Sequence, residues 1–84
     1  MKFDRLCVIG LGYIGLPTAS TFAARGLNVL GVDINSHIVE ILRRGDIHIH
    51  EPGLRDEFQS ALKTGRLTFA SAPEPADAFI IAVP

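Results

Sequence analysis

Apolar residues follow two rhythms along this chain, and each change of rhythm marks an element. Cys7-Val8-Ile9 closes a continuous apolar run, the pattern of a parallel strand covered on both faces, so Lys2 to Ile9 is read as the first strand. From Tyr13 to Arg25 the spacing turns helical, with Leu16, Ala19, Phe22 and Ala23 on one stripe and Gly26 as a stop. Pro17 disturbs that helix. Past the first turn its missing N–H would strand the carbonyl of Tyr13, so an irregular opening turn is expected. Asn28 to Val32 is a second strand, and Asn35 or Ser36 then caps a helix whose Ile38, Ile41 and Leu42 form a stripe closed by Gly45. In the next segment Ile47 and Ile49 alternate with His48 and His50 before Pro52-Gly53 turns the chain, too briefly to define a strand. Leu54 to Lys63 is a third helix and Arg66 to Ala70 a third strand. Ser71 to Ala76 is a loop with two prolines, and Ala78 to Val83 is a wholly apolar fourth strand.

The junction of the first strand and first helix carries the chemistry. Gly10-Leu11-Gly12-Tyr13-Ile14-Gly15 has the spacing G-x-G-x-x-G where an apolar run breaks into a helix, so unpaired amides and the positive end of the helix dipole face outward. Gly10 permits the tight turn, Gly12 lets a diphosphate approach the main chain, and Gly15 lets the helix pack on the sheet. The spacing alone is a weak signal. It gains weight from Asp33, which ends the second strand about 20 residues beyond the glycines, where a ribose-binding acid belongs. The backbone amides from Leu11 to Ile14 are expected to meet the diphosphate, leaving the side chains of Tyr13 and Ile14 free of that task. Asp33 would accept hydrogen bonds from the adenosine ribose and repel the 2′-phosphate of NADP, and no arginine follows at 34–36 to rescue that phosphate, so the expected cofactor is NAD. Ile34 and Val83, at the ends of the second and fourth strands, are placed to wall the adenine.

With right-handed connections the elements assemble into an α/β, Rossmann-type parallel sheet of order 3-2-1-4 with helices on both faces. Such a sheet continues past its fourth strand, so residues 1–84 are expected to be the amino-terminal part of a dinucleotide-binding domain, incomplete in itself. Phe79, Ile80 and Ile81 would then lie on an open edge that invites pairing with another chain, and a homo-oligomer is expected.

Composition removes other classes. A net charge of −1 with scattered basic residues asks for neither nucleic acid nor an anionic membrane. The single cysteine, Cys7, cannot form an internal disulfide and sits mid-strand, where it reads as a small buried hydrophobe; a reducing cytoplasm fits. No apolar run approaches the ~18 residues of a membrane span, and Asp4 and Arg5 interrupt any leader-like start. His48, His50 and Glu51 lie close together but lack a fourth ligand and a supporting shell, so no metal site is assigned. Glu51-Pro52-Gly53 reads as a turn, and Arg43 and Arg44 as solvated charges at a helix carboxyl end.

Four stretches carry a family resemblance: Val8-Ile9-Gly10-Leu11-Gly12-Tyr13-Ile14-Gly15-Leu16-Pro17, Gly31-Val32-Asp33-Ile34-Asn35, Glu51-Pro52-Gly53-Leu54 and Ile81-Ala82-Val83-Pro84. Together they resemble the amino-terminal domain of the UDP-glucose/GDP-mannose dehydrogenase family, over essentially this whole chain but only the first part of such an enzyme. The resemblance implies a complete enzyme that oxidises the primary alcohol of a nucleotide sugar to a carboxylate in two NAD-linked steps, through an aldehyde held on a cysteine. The catalytic cysteine and lysine would then lie in the carboxyl-terminal portion, and this part alone would bind NAD and catalyse nothing. Where the family often has a lysine or arginine soon after the ribose acid, this chain has His37. Two other readings stay open: a non-catalytic nucleotide-sensing module, and a different NAD enzyme such as a hydroxyacid dehydrogenase.

Overall fold

The structure, a computed structural model, describes residues 4–83. Lys2 and Pro84, the first residue assigned to strand 1 and the last of the family-like stretches, lie outside them. Seven elements follow one another: β1 (Arg5–Ile9), α1 (Gly15–Ala24), β2 (Asn28–Val32), α2 (Ser36–Arg43), α3 (Leu54–Lys63), β3 (Leu67–Ala70) and β4 (Ala78–Ile81). The strands form one sheet of order β3-β2-β1-β4, and every pairing is parallel. Cys7 lies opposite Leu30 on one side and Phe79 on the other, and Gly31 lies opposite Phe69.

Residue parity divides the sheet into two unequal faces. Leu6, Val8, Val29, Leu67 and Phe69 point to one side, where they join Leu16, Ala19 and Ala23 of α1, Val39 and Leu42 of α2, and Leu54, Phe58 and Ala61 of α3 in one core. Cys7, Leu30 and Val32 point to the other, with only Ile9, Ala70 and Ala76 packed around them. All three helices therefore sit on one face, and the expectation of helices on both faces is corrected for the described residues. The reason is handedness. The steps from β1 to β2 and from β2 to β3 run in the same direction across the sheet, so right-handed crossovers stack their helices on the same side.

The return from β3 to β4 crosses the opposite face, and here a strap with Pro73 and Pro75 makes the crossing without a helix. Arg5 holds the strap through the Glu74 carboxylate at 3.0 Å and the Pro75 carbonyl at 3.4 Å. Asp77 finishes it: its Oδ2 accepts the N–H groups of Asp4 and Arg5, both at 2.8 Å, while its own N–H donates to Arg5 O at 2.9 Å. These bonds set the register of β4. The strand then stops at Ile81, two residues before the expected end, and the Ala82 N–H makes a closing bond to Ile9 O at 2.7 Å.

The first helix begins two residues later than expected, and that resolves Pro17. With Gly15 as its first residue, Pro17 falls inside the opening turn, where a missing N–H is best tolerated. The ladder steps around it, with Leu16 N–H on Gly12 O and Thr18 N–H on Ile14 O, each at 3.1 Å. The other end closes as a Schellman turn on Gly26, at φ +103°. Segment 46–53 forms no strand; Ile47 and Ile49 are buried in the helical core and their neighbours bend around them.

Candidate functional site

The carboxyl ends of β1, β2 and β4 meet at the glycine turn, and each glycine has a separate geometric reason. Gly10 has φ +96°, and a Cβ there would lie 2.7 Å from Ala82 O and 3.1 Å from Val83 Cγ1, so β4 closes directly on the turn. At Gly15 a Cβ would lie 1.6 Å from Gly10 O, a distance no atom pair tolerates; the helix start rests on the main chain of the loop it follows. Gly12 is the opposite case. A Cβ there would meet nothing within 4 Å. Two of the glycines are demanded by the fold, and the third lines an open cradle at the amino end of α1.

The cradle has donors to offer. Among the described residues the N–H groups of Gly12, Tyr13 and Ile14 have no hydrogen-bond partner, and they stand where the helix dipole is positive. The Leu11 N–H is not one of them, contrary to the expectation for residues 11 to 14. It donates to Asp33 Oδ2 at 3.0 Å, and the Leu11 side chain is fully buried, its methyl groups close to Gly31. The turn is further tied to β2 by Gly10 N–H on Val32 O at 2.8 Å.

Asp33 faces this opening and is held from both sides. Its Oδ1 accepts the Asn35 N–H at 2.9 Å, and Asn35 in turn caps α2 by accepting from His37 N and Ile38 N. A carboxylate offers about four lone-pair positions, so two main-chain donors leave room for ribose hydroxyls on the same group. The holding role of Asn35 was not part of the sequence expectation beyond its capping; the Asp-x-Asn spacing was the available signal. Around the opening Tyr13, Ile14, Ile34 and Val83 are exposed, Ile34 at 92%, so the rim of a polar cradle is apolar. That combination suits a ligand with a charged middle and flat ends.

Other candidates stand apart. Burial pushes the Cys7 thiol up from its ordinary value, with the Glu74 main chain as a smaller opposing influence, which disfavours a thiolate. His50 and Glu51 border an open recess of about 330 Å³ with Ile47, Pro52 and Arg55; a second, of about 230 Å³, lies between Pro17, Glu51 to Leu54 and Glu57. Neither recess is lined by the glycine turn or Asp33. No group of three or more His, Cys, Asp or Glu side chains among the described residues is placed to hold a metal ion.

A parallel sheet with a glycine turn seated on a helix amino end, and a carboxylate at the tip of the neighbouring strand, defines a dinucleotide-binding unit. The open cradle at Gly12 fits a diphosphate, and the cofactor is NAD: the model of the UDP-glucose/GDP-mannose dehydrogenase family, NAD binding domain, matches residues 4–84. The chain belongs to that family. It is 57% identical over 83 residues to the UDP-N-acetyl-D-mannosamine dehydrogenase of Campylobacter jejuni, covering 99% of this chain and 20% of the relative. It is 52% identical over 84 residues to the NDP-N-acetyl-D-galactosaminuronic acid dehydrogenase of Ralstonia nicotianae, covering 100% of this chain and 20% of that one. The native structure of the UDP-N-acetyl-mannosamine dehydrogenase of Staphylococcus aureus superposes with a TM-score of 0.92 at 51% identity, over 96% of this chain and 20% of that structure. The chain thus spans about a fifth of the length of the relatives it matches.

Proposed function

We propose that these residues are the NAD-binding part of a UDP-N-acetyl-D-mannosamine dehydrogenase, which oxidises the primary alcohol of its nucleotide sugar to a uronic acid for bacterial surface polysaccharide. The observation that carries the reading is the open cradle at Gly12, bordered by unpaired amides and faced by Asp33. The choice of sugar is supported by the match to the Campylobacter jejuni enzyme, and the stretch from Arg44 to Pro52 resembles the same family member.

NAD, when bound, supplies the hydride acceptor; an alcohol becomes a carboxylate by losing four electrons, so two NAD are consumed per sugar. The residues of this chain bind and orient. The amides of Gly12, Tyr13 and Ile14 hold the diphosphate, Asp33 receives the ribose hydroxyls, and Ile34 and Val83 flank the adenine. Gly10, Leu11 and Gly15 keep the turn in shape, Leu11 by giving its N–H to Asp33. None of the groups that act on the sugar is among these residues. Cys7 is buried in the sheet, and the catalytic cysteine and lysine belong to the remainder of the protein, without which this part is inactive. The complete protein is proposed to be a cytosolic homo-oligomer; among the described residues no helix is long and apolar enough to cross a membrane.

The test uses the complete protein with UDP-N-acetyl-D-mannosamine and UDP-glucose, following NADH formed per sugar consumed, together with calorimetric titration of NAD and NADP into wild type and Asp33→Asn. Two NADH per UDP-N-acetyl-D-mannosamine and a loss of about tenfold in NAD affinity on substitution are expected, the size of a charge-assisted hydrogen bond. Turnover of UDP-glucose alone would move the assignment to a UDP-glucose 6-dehydrogenase. Tight NAD binding without oxidation of any nucleotide sugar would make the protein an NAD-sensing module.

A further inference from the structure

The two edges of this sheet are treated differently. In β3 the carbonyls of Arg66 and Ala70 turn inward, accepting from Val29 N at 2.8 Å and Asp33 N at 3.2 Å. Alternation along a strand therefore turns the carbonyls of Leu67 and Phe69 outward, onto the open edge. Arg43, the last residue of α2, reaches that edge. Its Nε and Nη2 both donate to Phe69 O, at 3.2 and 2.7 Å. The expectation that Arg43 is merely a solvated charge at a helix end is corrected: the guanidinium spends two donors on one carbonyl. A dipole at the end of α2 does not account for this, because the accepting oxygen belongs to a strand 26 residues further along the chain. Among the described residues no side chain makes a comparable bond to the outward groups of Ala78 or Ile80 on β4.

Exposed strand edges pair with other strands unless a charge, a bulge or a covering element prevents it. We infer that Arg43 is an edge guard: its guanidinium closes β3 to strand pairing with a second copy of this chain and leaves β4 as the one side on which the sheet accepts a neighbour. β3 needs such protection because Leu67-Thr68-Phe69-Ala70 is a short, largely apolar strand at the edge of the sheet, with its outward main-chain groups otherwise open to pairing. A bidentate guanidinium is suited to the task. It satisfies the carbonyl that an incoming N–H would seek, and it places a positive charge where the incoming strand would run.

Sedimentation velocity of the complete protein over a concentration series tests this, comparing wild type with Arg43→Ala, Arg43→Met, Arg43→Lys and the double variant Arg43→Ala/Thr68→Lys. Arg43→Met keeps a long stem without a donor, so the question remains answerable if the alanine variant folds poorly. Thr68 is exposed on the strap side of β3, where a lysine supplies a second kind of edge charge. The alanine and methionine variants are expected to self-associate beyond the wild-type assembly at about tenfold lower concentration. The lysine variant and the double variant should sediment as wild type. The inference is overturned if the alanine and methionine variants keep the wild-type distribution throughout, or if Thr68→Lys leaves their association unchanged. NAD reduction plays no part in the readout, so the outcome stands apart from that of the proposed reaction.

Discussion

Alanine at Gly15 and alanine at Gly12 are the same substitution, three residues apart in one motif, and they should fail in opposite ways. At Gly15 the new Cβ would stand 1.6 Å from Gly10 O and 2.7 Å from Gly10 C. Comfortable carbon contacts begin near ~3.5 Å, so the loop and helix must separate by well over an ångström. The loop has no slack, being tied to β2 through Gly10 N–H on Val32 O and Leu11 N–H on Asp33 Oδ2. Overpacking alone costs about 1–3 kcal/mol. Losing one of those ties adds about 1–3 kcal/mol, for a total of roughly 2–6 kcal/mol. At about 4–8 °C per kcal/mol for a domain of this size, the unfolding midpoint should fall by at least about 8 °C. At Gly12 nothing lies within 4 Å and the backbone φ is not positive, so alanine fits. It should leave stability unchanged or raise it by up to about 1 kcal/mol through a less flexible unfolded chain. Its methyl group would occupy the cradle, and NAD affinity should fall about tenfold or more, the effect of displacing a phosphate from one or two amide donors. Thermal unfolding without cofactor and calorimetric titration with NAD, run on both variants, read the two effects separately. A Gly15→Ala midpoint within a few degrees of wild type would refute the steric argument, and undiminished NAD binding by Gly12→Ala would refute the seat.

Asp77→Asn should weaken folding at neutral pH and converge with wild type in acid. The N–H groups of Asp4 and then Arg5 hold the Asp77 carboxyl below its ordinary value of 3.8, against a smaller opposing effect of burial. The folded chain thus binds this proton less readily than the unfolded one, so the contribution is complete above that ordinary value and disappears as pH falls through the lowered one; thermal unfolding across that range, with a constant gap between the two proteins as the disproof, checks the sign. Phe58→Ala should cost about 3–5 kcal/mol, because the ring is fully buried between α3 and the sheet, its centroid 6.1 Å from that of Phe69. Phe58→Leu should recover most of that loss in denaturant unfolding, and equal losses for both would mean the core there is not close-packed.

Some features of the site are local, and those were legible in the chain. G-x-G-x-x-G joins a strand to a helix within six residues, and Asp33 follows at the end of the next strand, so spacing alone was enough to pair them. The cap of α2, narrowed to Asn35 or Ser36, the bounds of α3 and the strand order were readable for the same reason: each depends on neighbouring residues or on the handedness of short crossovers. The start of α1 was placed two residues early, at Tyr13, although the apolar stripe begins at Leu16 and Pro17 is best tolerated in an opening turn; the bonds of Gly12 and Ile14 fix the true start. Helices were expected on both faces although Ser71 to Ala76 reads as a loop, and among the described residues the second face is crossed by that strap alone. Arg43 looked like an end-of-helix charge because its partner, Phe69 O, belongs to an element that approaches only after folding.

Residue order by itself determined that a strand must break at three glycines and that a carboxylate would end the second strand, since both follow from backbone freedom and side-chain period along a few consecutive residues. Tertiary packing alone decided which amides remained free. Leu11 and Gly12 carry identical N–H groups one residue apart, yet Asp33 claims the first and leaves the second, because a hydrogen bond between residues 11 and 33 exists only when two strands lie side by side. Periodicity describes what a segment prefers, and the partners left open to a ligand are whatever the fold has not already used.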